Sequence, residues 1–221
     1  MVLSYKFSLK PGDCMNHPPF FIGIAGGTGS GKTYLCDKLS CHLGKENTVC
    51  IEVDAYYRDL SHIPINERAA VNFDHPGSLE TELLRSHLET LARGNAVPKP
   101  VYDFATHTRT DQTTTVPPRP FVLAEGILLL ALEGIGDYLD FTIYLDVPAD
   151  IRFIRRLERD LKERGRTTET VISQYLDQAR PMHEKFVAPC RNTADLVIYQ
   201  DYDISDVAQK IRAAAKDTGC R

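Results

Sequence analysis

The stretch Gly26-Gly27-Thr28-Gly29-Ser30-Gly31-Lys32-Thr33 constrains this chain more than any other. It follows the apolar run Phe20-Phe21-Ile22-Gly23-Ile24-Ala25 and precedes Leu35, Leu39 and Leu43 at helical spacing. It therefore reads G-x-x-x-x-G-K-T between a buried strand and a helix. The glycines let successive backbone N–H groups curl around an anion, and the helix start adds its positive dipole end. Lys32 is placed to reach terminal phosphates, and the Thr33 hydroxyl is a hard oxygen ligand suited to Mg²⁺. Residues 26–33 are expected to cradle nucleotide phosphates.

The remaining pattern extends that strand, loop and helix into an α/β sheet. Thr48–Val53 reads as a second strand ending at Asp54, Phe121–Ala124 as one closed by Glu125-Gly126, Phe141–Leu145 as one closed by Asp146, and 195–199 as the last. A helix from about Ser78 carries Leu79, Leu83, Leu84, Leu88 and Leu91, with Gly94 past its end. Prolines at 98, 100, 117, 118 and 120 bracket Val101–Phe104 and Thr113–Val116, which marks 96–120 as a β-hairpin insertion. From Asp150 onward, Ile151, Ile154, Leu157 and Leu161 form an apolar stripe, with Arg152, Arg155, Arg156 and Arg159 on other faces. The next helix carries Val171, Ile172, Tyr175, Leu176 and Ala179 and is expected to be interrupted near Pro181; Val207, Ile211 and Ala214 mark the last one. Strands alternating with helices give a parallel sheet with helices on both faces, and its ligands lie beyond the carboxyl ends of the strands.

Residues 1–18 show no periodicity and read as a loose extension before a single domain spanning 19–221. A net charge of −4 argues against a surface that seeks nucleic acid, so the arginines of 152–166 are a local cluster. No apolar run approaches the roughly 18 residues of a membrane span. Six cysteines contain no C-x-x-C pair, so neither a zinc site nor a disulfide framework is indicated. No signal-peptide pattern opens the chain, and a reducing cytoplasm is the expected compartment.

A phosphate loop alone serves motors, GTPases and kinases. The D-x-x-G switch and N-K-x-D guanine reader of a GTPase are missing from suitable positions. A small-molecule kinase needs a base for the acceptor hydroxyl, acids on the metal side and positive charge over the transferring phosphoryl group. Asp54 is the candidate base, with a water-mediated metal contact besides; Glu125 is the second acid beside Mg²⁺; and Arg156, Arg159, Arg164 and Arg166 suit a lid over the phosphates.

Taken together, GGTGSGKT at 26–33, DAYYRDLS at 54–61, NFDHP at 72–76, PVYDFATHTR at 100–109, EGILLL at 125–130, FIRRLERDLKERGR at 153–166 and QYLDQARPMHEKFVAP at 174–189 resemble the uridine kinase (uridine/cytidine kinase) family, in its order. The resemblance implies a P-loop kinase three-layer sandwich: a five-stranded parallel sheet, a small hairpin insertion (96–120) and a helical lid (152–170). It makes Asp54, Lys32 and Arg159 catalytic. It places Gly26, Gly27, Thr28, Gly29, Ser30, Gly31, Lys32 and Thr33, with Arg159 and Arg164, on the donor ATP or GTP, and Thr33, Glu125 and Asp54 on the Mg²⁺ side. Tyr57, Asp74, Tyr102, His107, Arg156, Arg166 and Gln174 would surround the nucleoside, Asp74 at the ribose hydroxyls and Tyr102 and His107 at the pyrimidine. The implied reaction is phosphorylation of the 5′-hydroxyl of uridine, and of cytidine, for pyrimidine salvage, by a homotetramer. The rival readings are a phosphoribulokinase-like sugar-phosphate kinase and a catalytically silent nucleotide-binding regulator.

Overall fold

In chain order the elements are β1 (Phe20–Gly26), α1 (Lys32–Leu43), β2 (Thr48–Glu52), a one-turn α2 (Ile65–Arg68), α3 (Thr81–Ala92), β3 (Val97–Asp103), β4 (Thr108–Val116), β5 (Phe121–Glu125), β6 (Phe141–Leu145), α4 (Ala149–Glu163), α5 (Thr168–Gln174), a short α6 (Arg180–Met182), β7 (Leu196–Ile198) and α7 (Ile204–Asp217). This computed structural model describes residues 18–68 and 70–217; the extension expected over 1–18 lies outside them except for Pro18. Five strands form one sheet in the order β2-β5-β1-β6-β7, every neighbouring pair parallel, while β3 and β4 pair antiparallel as the expected hairpin. Every residue of β1 is buried, as a central strand covered on both faces requires.

Side chains alternate across that strand and define two cores. Phe20, Ile22 and Ile24 meet Leu35, Leu39 and Leu43 of α1 and Val207 and Ile211 of α7. Phe21 and Ala25 face the other way, toward Leu84, Leu88 and Leu91 of α3 and toward Val187 and Cys190. The layers are thus helix, sheet, helix, and each fully buried leucine contributes about 1.5–3 kcal/mol. Among the described residues no helix is long and apolar enough to cross a membrane.

Three sequence expectations need correction. The helix expected from Ser78 begins at Thr81; Leu79 precedes it in extended conformation, bridged to Tyr57, and is buried from there. The helix expected to break near Pro181 runs on to Asn192, because wide π-turns at Tyr175–Ala179 and His183–Val187 accommodate the imino acid that cannot donate. The third concerns α4, whose expected apolar stripe is reversed. Ile154 and Leu161 are 52% and 40% exposed, whereas Arg152, Arg156 and Asp160, spaced four apart, are buried. That face meets the phosphate loop and the cavity beside it, where charges find partners, so position overrides hydrophobic periodicity.

Candidate active site

Because the sheet is parallel, the ends of β1, β2 and β5 reach one edge, and Glu52 and Glu125 stand level in register. Beyond β1 the chain turns through the glycine loop into α1. At Gly29 the backbone has φ +75°, and an added Cβ would strike the carbonyl oxygen of Arg152, so the loop and α4 touch backbone to backbone. Beyond β2, Val53–Tyr56 form a single 3-10 turn that carries Asp54, one residue earlier than the expected strand end. Gly126 lets this turn approach, since a Cβ there would lie 2.6 Å from the Cβ of Val53. Asp54 is thereby brought beside Glu125.

A cavity of about 530 Å³ opens at this edge. Its floor holds Thr28, Gly29, Lys32, Thr33, Asp54 and Glu125; its far wall holds Tyr57, Asp74, Tyr102 and His107; and Arg156, Arg159, Arg164, Arg166 and Gln174 close one side. The sequence-derived site residues outside this lining belong to the loop itself. Gly26 and Gly27 accept hydrogen bonds from the Lys32 ammonium through their carbonyls, at 3.1 and 3.2 Å. Ser30 and Gly31 face a second cavity of about 900 Å³, lined also by Tyr34, Arg155, Tyr202 and Asp203. The loop therefore separates two chambers. Asp146, also at a strand end, pairs with Arg191 at 3.0 Å and does not line the main cavity.

Burial pushes the Lys32 ammonium below its usual value, while Glu125 and Asp54 pull the other way. Burial likewise raises Glu125, opposed by Lys32. The Thr33 hydroxyl donates to Glu125 at 2.8 Å. A hydroxyl and carboxylates form a hard oxygen set, and Mg²⁺ is typically held by one or two carboxylates together with substrate phosphates rather than by an all-protein cage. The residues present fit that ion. The buried Ser30 hydroxyl has no hydrogen-bond partner among the described residues and packs against Gly26, where an added Cβ would lie 2.9 Å from its Oγ.

The far wall is aromatic. Phe73 lies edge-on to Tyr57 at 5.2 Å and stacks on His107, with 5.6 Å between centroids and 19° between planes; Tyr102 tilts against Tyr57 at 5.2 Å. His107 has φ +52°, a conformation rare outside glycine, and such local strain is concentrated at ligand contacts. Burial and then Arg166 and Arg164 keep its imidazole below its usual pKa, so the neutral ring offers one donor and one acceptor. The hairpin that presents these groups is tied down. Thr108 accepts from Leu60 N–H at 2.8 Å and donates to Asp59 at 3.0 Å, and Arg109 pairs with Glu80 at 2.7 Å. Asp74 is buried, and its carboxylate accepts no hydrogen bond among the described residues; burial raises its pKa, with Arg156 opposing.

Four residues that sequence reasoning left out complete the site. Phe73 and Phe104 stood inside NFDHP and YDFATHTR, and the Arg164 guanidinium lies 4.3 Å over the Phe104 ring. Arg152 lies against Gly27, donates to Val147 C=O at 2.9 Å and meets His183 Nε2 at 3.3 Å. That imidazole is pushed down to about 4, by burial first and then by Arg152, so it is the neutral acceptor of the pair. Asp160 is fully buried and lies within 4 Å of four arginines, 156, 159, 164 and 166. Its four-residue spacing from Arg156 was the signal available in the sequence.

The family model described as "Phosphoribulokinase / Uridine kinase family" matches residues 21–207. A uridine kinase of Clostridium tetani is 48% identical over 184 residues, 83% of this chain and 88% of the relative. One from Clostridium perfringens is 47% identical over 180 residues, 81% and 86% of the two chains. Among solved structures, a putative fructose transport system kinase from Silicibacter sp. TM1040 superposes with TM-score 0.67 at 21% identity, covering 86% of this chain and 93% of the other. Phosphoribulokinase from Rhodobacter spheroides superposes with TM-score 0.61 at 19% identity, covering 86% and 72%. At these identities the superpositions establish the fold.

Proposed function

The chain belongs to the phosphoribulokinase/uridine kinase family, and on that premise we propose that it transfers the terminal phosphoryl group of a nucleoside triphosphate to the 5′-hydroxyl of uridine, and of cytidine. The observation that carries this reading is the shared cavity, which Lys32, Asp54 and Glu125 line together with Asp74 and an aromatic wall. A flat base fits the wall of Tyr102, Phe73 and His107, and a ribose diol fits a carboxylate without other partners. The hairpin itself adds no free cation for a sugar phosphate, since its lining lysine, Lys99, pairs with Glu52.

In this reading the loop N–H groups, Ser30 and Lys32 hold the donor's phosphates. Asp54 takes the proton from the 5′-hydroxyl as its oxygen attacks, and Arg159 and Arg164 neutralise charge on the transferring group. Thr33 and Glu125, with Asp54 beside them, would hold Mg²⁺, which supplies charge neutralisation across the donor's terminal oxygens. Residues 152–170 act as a lid that excludes water from the phosphoryl group. The donor's base occupies the second chamber, where Tyr34 and Tyr202 offer ring faces and Asp203 an acceptor.

The test is a panel. With Mg²⁺ and ATP or GTP the protein should phosphorylate uridine and cytidine and leave ribulose 5-phosphate unchanged, and inorganic tripolyphosphate should be a poor donor because it lacks a base. No transfer to either pyrimidine nucleoside sinks the reading; efficient use of tripolyphosphate removes the donor-base chamber alone.

A pH profile adds a second check. Since burial raises Asp74, its protonated form persists above the ordinary carboxylate value of 3.8. The ionised form is the one that accepts from the ribose. Accordingly kcat/KM for uridine should climb with pH along a limb centred above 3.8, and Asp74→Asn should shift or erase it; an unaltered limb in that variant assigns it elsewhere.

A further inference from the structure

The Asp160 carboxylate divides four arginines between its two oxygens. Oδ1 accepts from Arg159 Nε and Nη2 at 2.9 and 2.8 Å and faces Arg164 Nη1 at 3.6 Å. Oδ2 accepts from Arg166 Nη1 at 3.0 Å and faces Arg156 Nε at 3.7 Å. All four line the one cavity; in the kinase reading Arg159 and Arg164 are the pair assigned to the donor, and Arg156 and Arg166 the pair assigned to the acceptor nucleoside. Arg156 and Arg166 also both donate to Gln174 Oε1, at 2.9 and 2.7 Å, an anchor the first pair lacks. The buried Arg156 Nε has no hydrogen-bond partner among the described residues.

We propose that Asp160 is a positioning residue that couples the donor and nucleoside sites, by handing Arg159 and Arg164 to the donor's phosphates and thereby firming its hold on Arg156 and Arg166. This rests on the kinase reading above. A single buried carboxylate cannot saturate four guanidiniums, which repel one another across it. Donor phosphates are stronger bidentate partners for Arg159 and Arg164, so the exchange relieves that repulsion. Asp160 then serves two arginines with two oxygens, and Arg156 Nε can close a full hydrogen bond. Arginines fixed in this way bind the nucleoside with less ordering cost, so each ligand strengthens the other, by the same factor as linkage requires.

The experiment measures uridine binding by calorimetry, with and without a non-hydrolysable ATP analogue and Mg²⁺. In the wild type the analogue should tighten uridine by about fivefold or more. Asp160→Asn keeps the shape but not the charge, and should reduce that factor to below about twofold. Asp160→Glu keeps the charge but displaces the carboxylate; it should fold and lose at least half of the coupling, and it decides the question if the Asn variant fails to fold. A purely structural aspartate would lower the unfolding midpoint and weaken both ligands alike, with their coupling intact, and that result overturns the proposal. So does a wild type that binds both ligands independently. A wild type that binds no uridine at all defeats the kinase reading instead.

Discussion

Asp54→Asn is expected to lower kcat for uridine by two to four orders of magnitude, the range a positioned general base contributes, while ATP binding changes by less than about threefold. Asparagine preserves the volume and hydrogen-bonding outline near the start of the Val53–Tyr56 turn, so neither the turn nor the Gly126 approach is disturbed. What disappears is the group that takes the 5′-hydroxyl proton. The loss of charge has a second consequence with a definite sign. Asp54 raises the pKa of Asp74 and of Glu125, so its removal lets both carboxylates ionise more readily. Uridine binding should therefore hold or tighten while turnover collapses. Single-turnover kinetics beside calorimetry separates the two; residual kcat above about a tenth of wild type removes Asp54 as the base.

The elements that build the floor of this site were legible in the chain because each is local. Gly26–Thr33 is a contiguous device, Asp54 and Glu125 follow apolar runs closed by turn residues, and the prolines bracket the hairpin. Asp74, Tyr102, His107 and Gln174 became legible only through family resemblance, since in isolation each has an ordinary surface reading. Helix α4 shows why periodicity stops short. Its sequence offers two candidate faces, one with Ile154 and Leu161 and one with Arg152, Arg156 and Asp160, and hydrophobicity favours the wrong one. Which face turns inward is decided by what lies opposite: the backbone of Gly27 and Gly29, the acids of the cavity, and Gln174 eighteen residues further along the chain from Arg156. None of those partners is visible to a helical period. The same holds for Arg152 and His183, whose pairing depends on a helix that continues through Pro181 instead of ending there.

The polar stripe of α4 also joins the phosphate loop to the cavity beside it. Arg152 lies on the loop backbone, Arg156 reaches the cavity one turn further on, and Asp160, a turn beyond that, gathers the arginines of the following segment. A shift of α4 along its axis would move all three at once. In the proposed reading one helix would therefore set donor and acceptor geometry together, which suits phosphoryl transfer because its catalysis depends on alignment and charge rather than on covalent chemistry.

Asp74→Asn is expected to lower kcat/KM for uridine by roughly two to three orders of magnitude and to flatten discrimination against deoxyuridine. The argument turns on what an incomplete ligand leaves behind. In the wild type the buried carboxylate meets Arg156 and Arg166 only at a distance that registers as charge, without a hydrogen bond, and its burial is costly. A ribose diol satisfies it with two donors. A deoxyribose supplies one fewer and leaves part of the desolvation uncompensated, so the wild type should prefer uridine to deoxyuridine by about 10²-fold or more. Asparagine carries no charge and can donate as well as accept, so it tolerates the missing hydroxyl, and the uridine to deoxyuridine ratio should fall to within about tenfold. The effect should lie in nucleoside binding, with the KM for ATP nearly constant, because Lys32 and the loop keep their contacts. Steady-state kinetics with both nucleosides reads the ratio directly. A variant that retains wild-type discrimination, or one in which ATP and uridine lose affinity together, would show that Asp74 shapes the cavity and does not read the ribose.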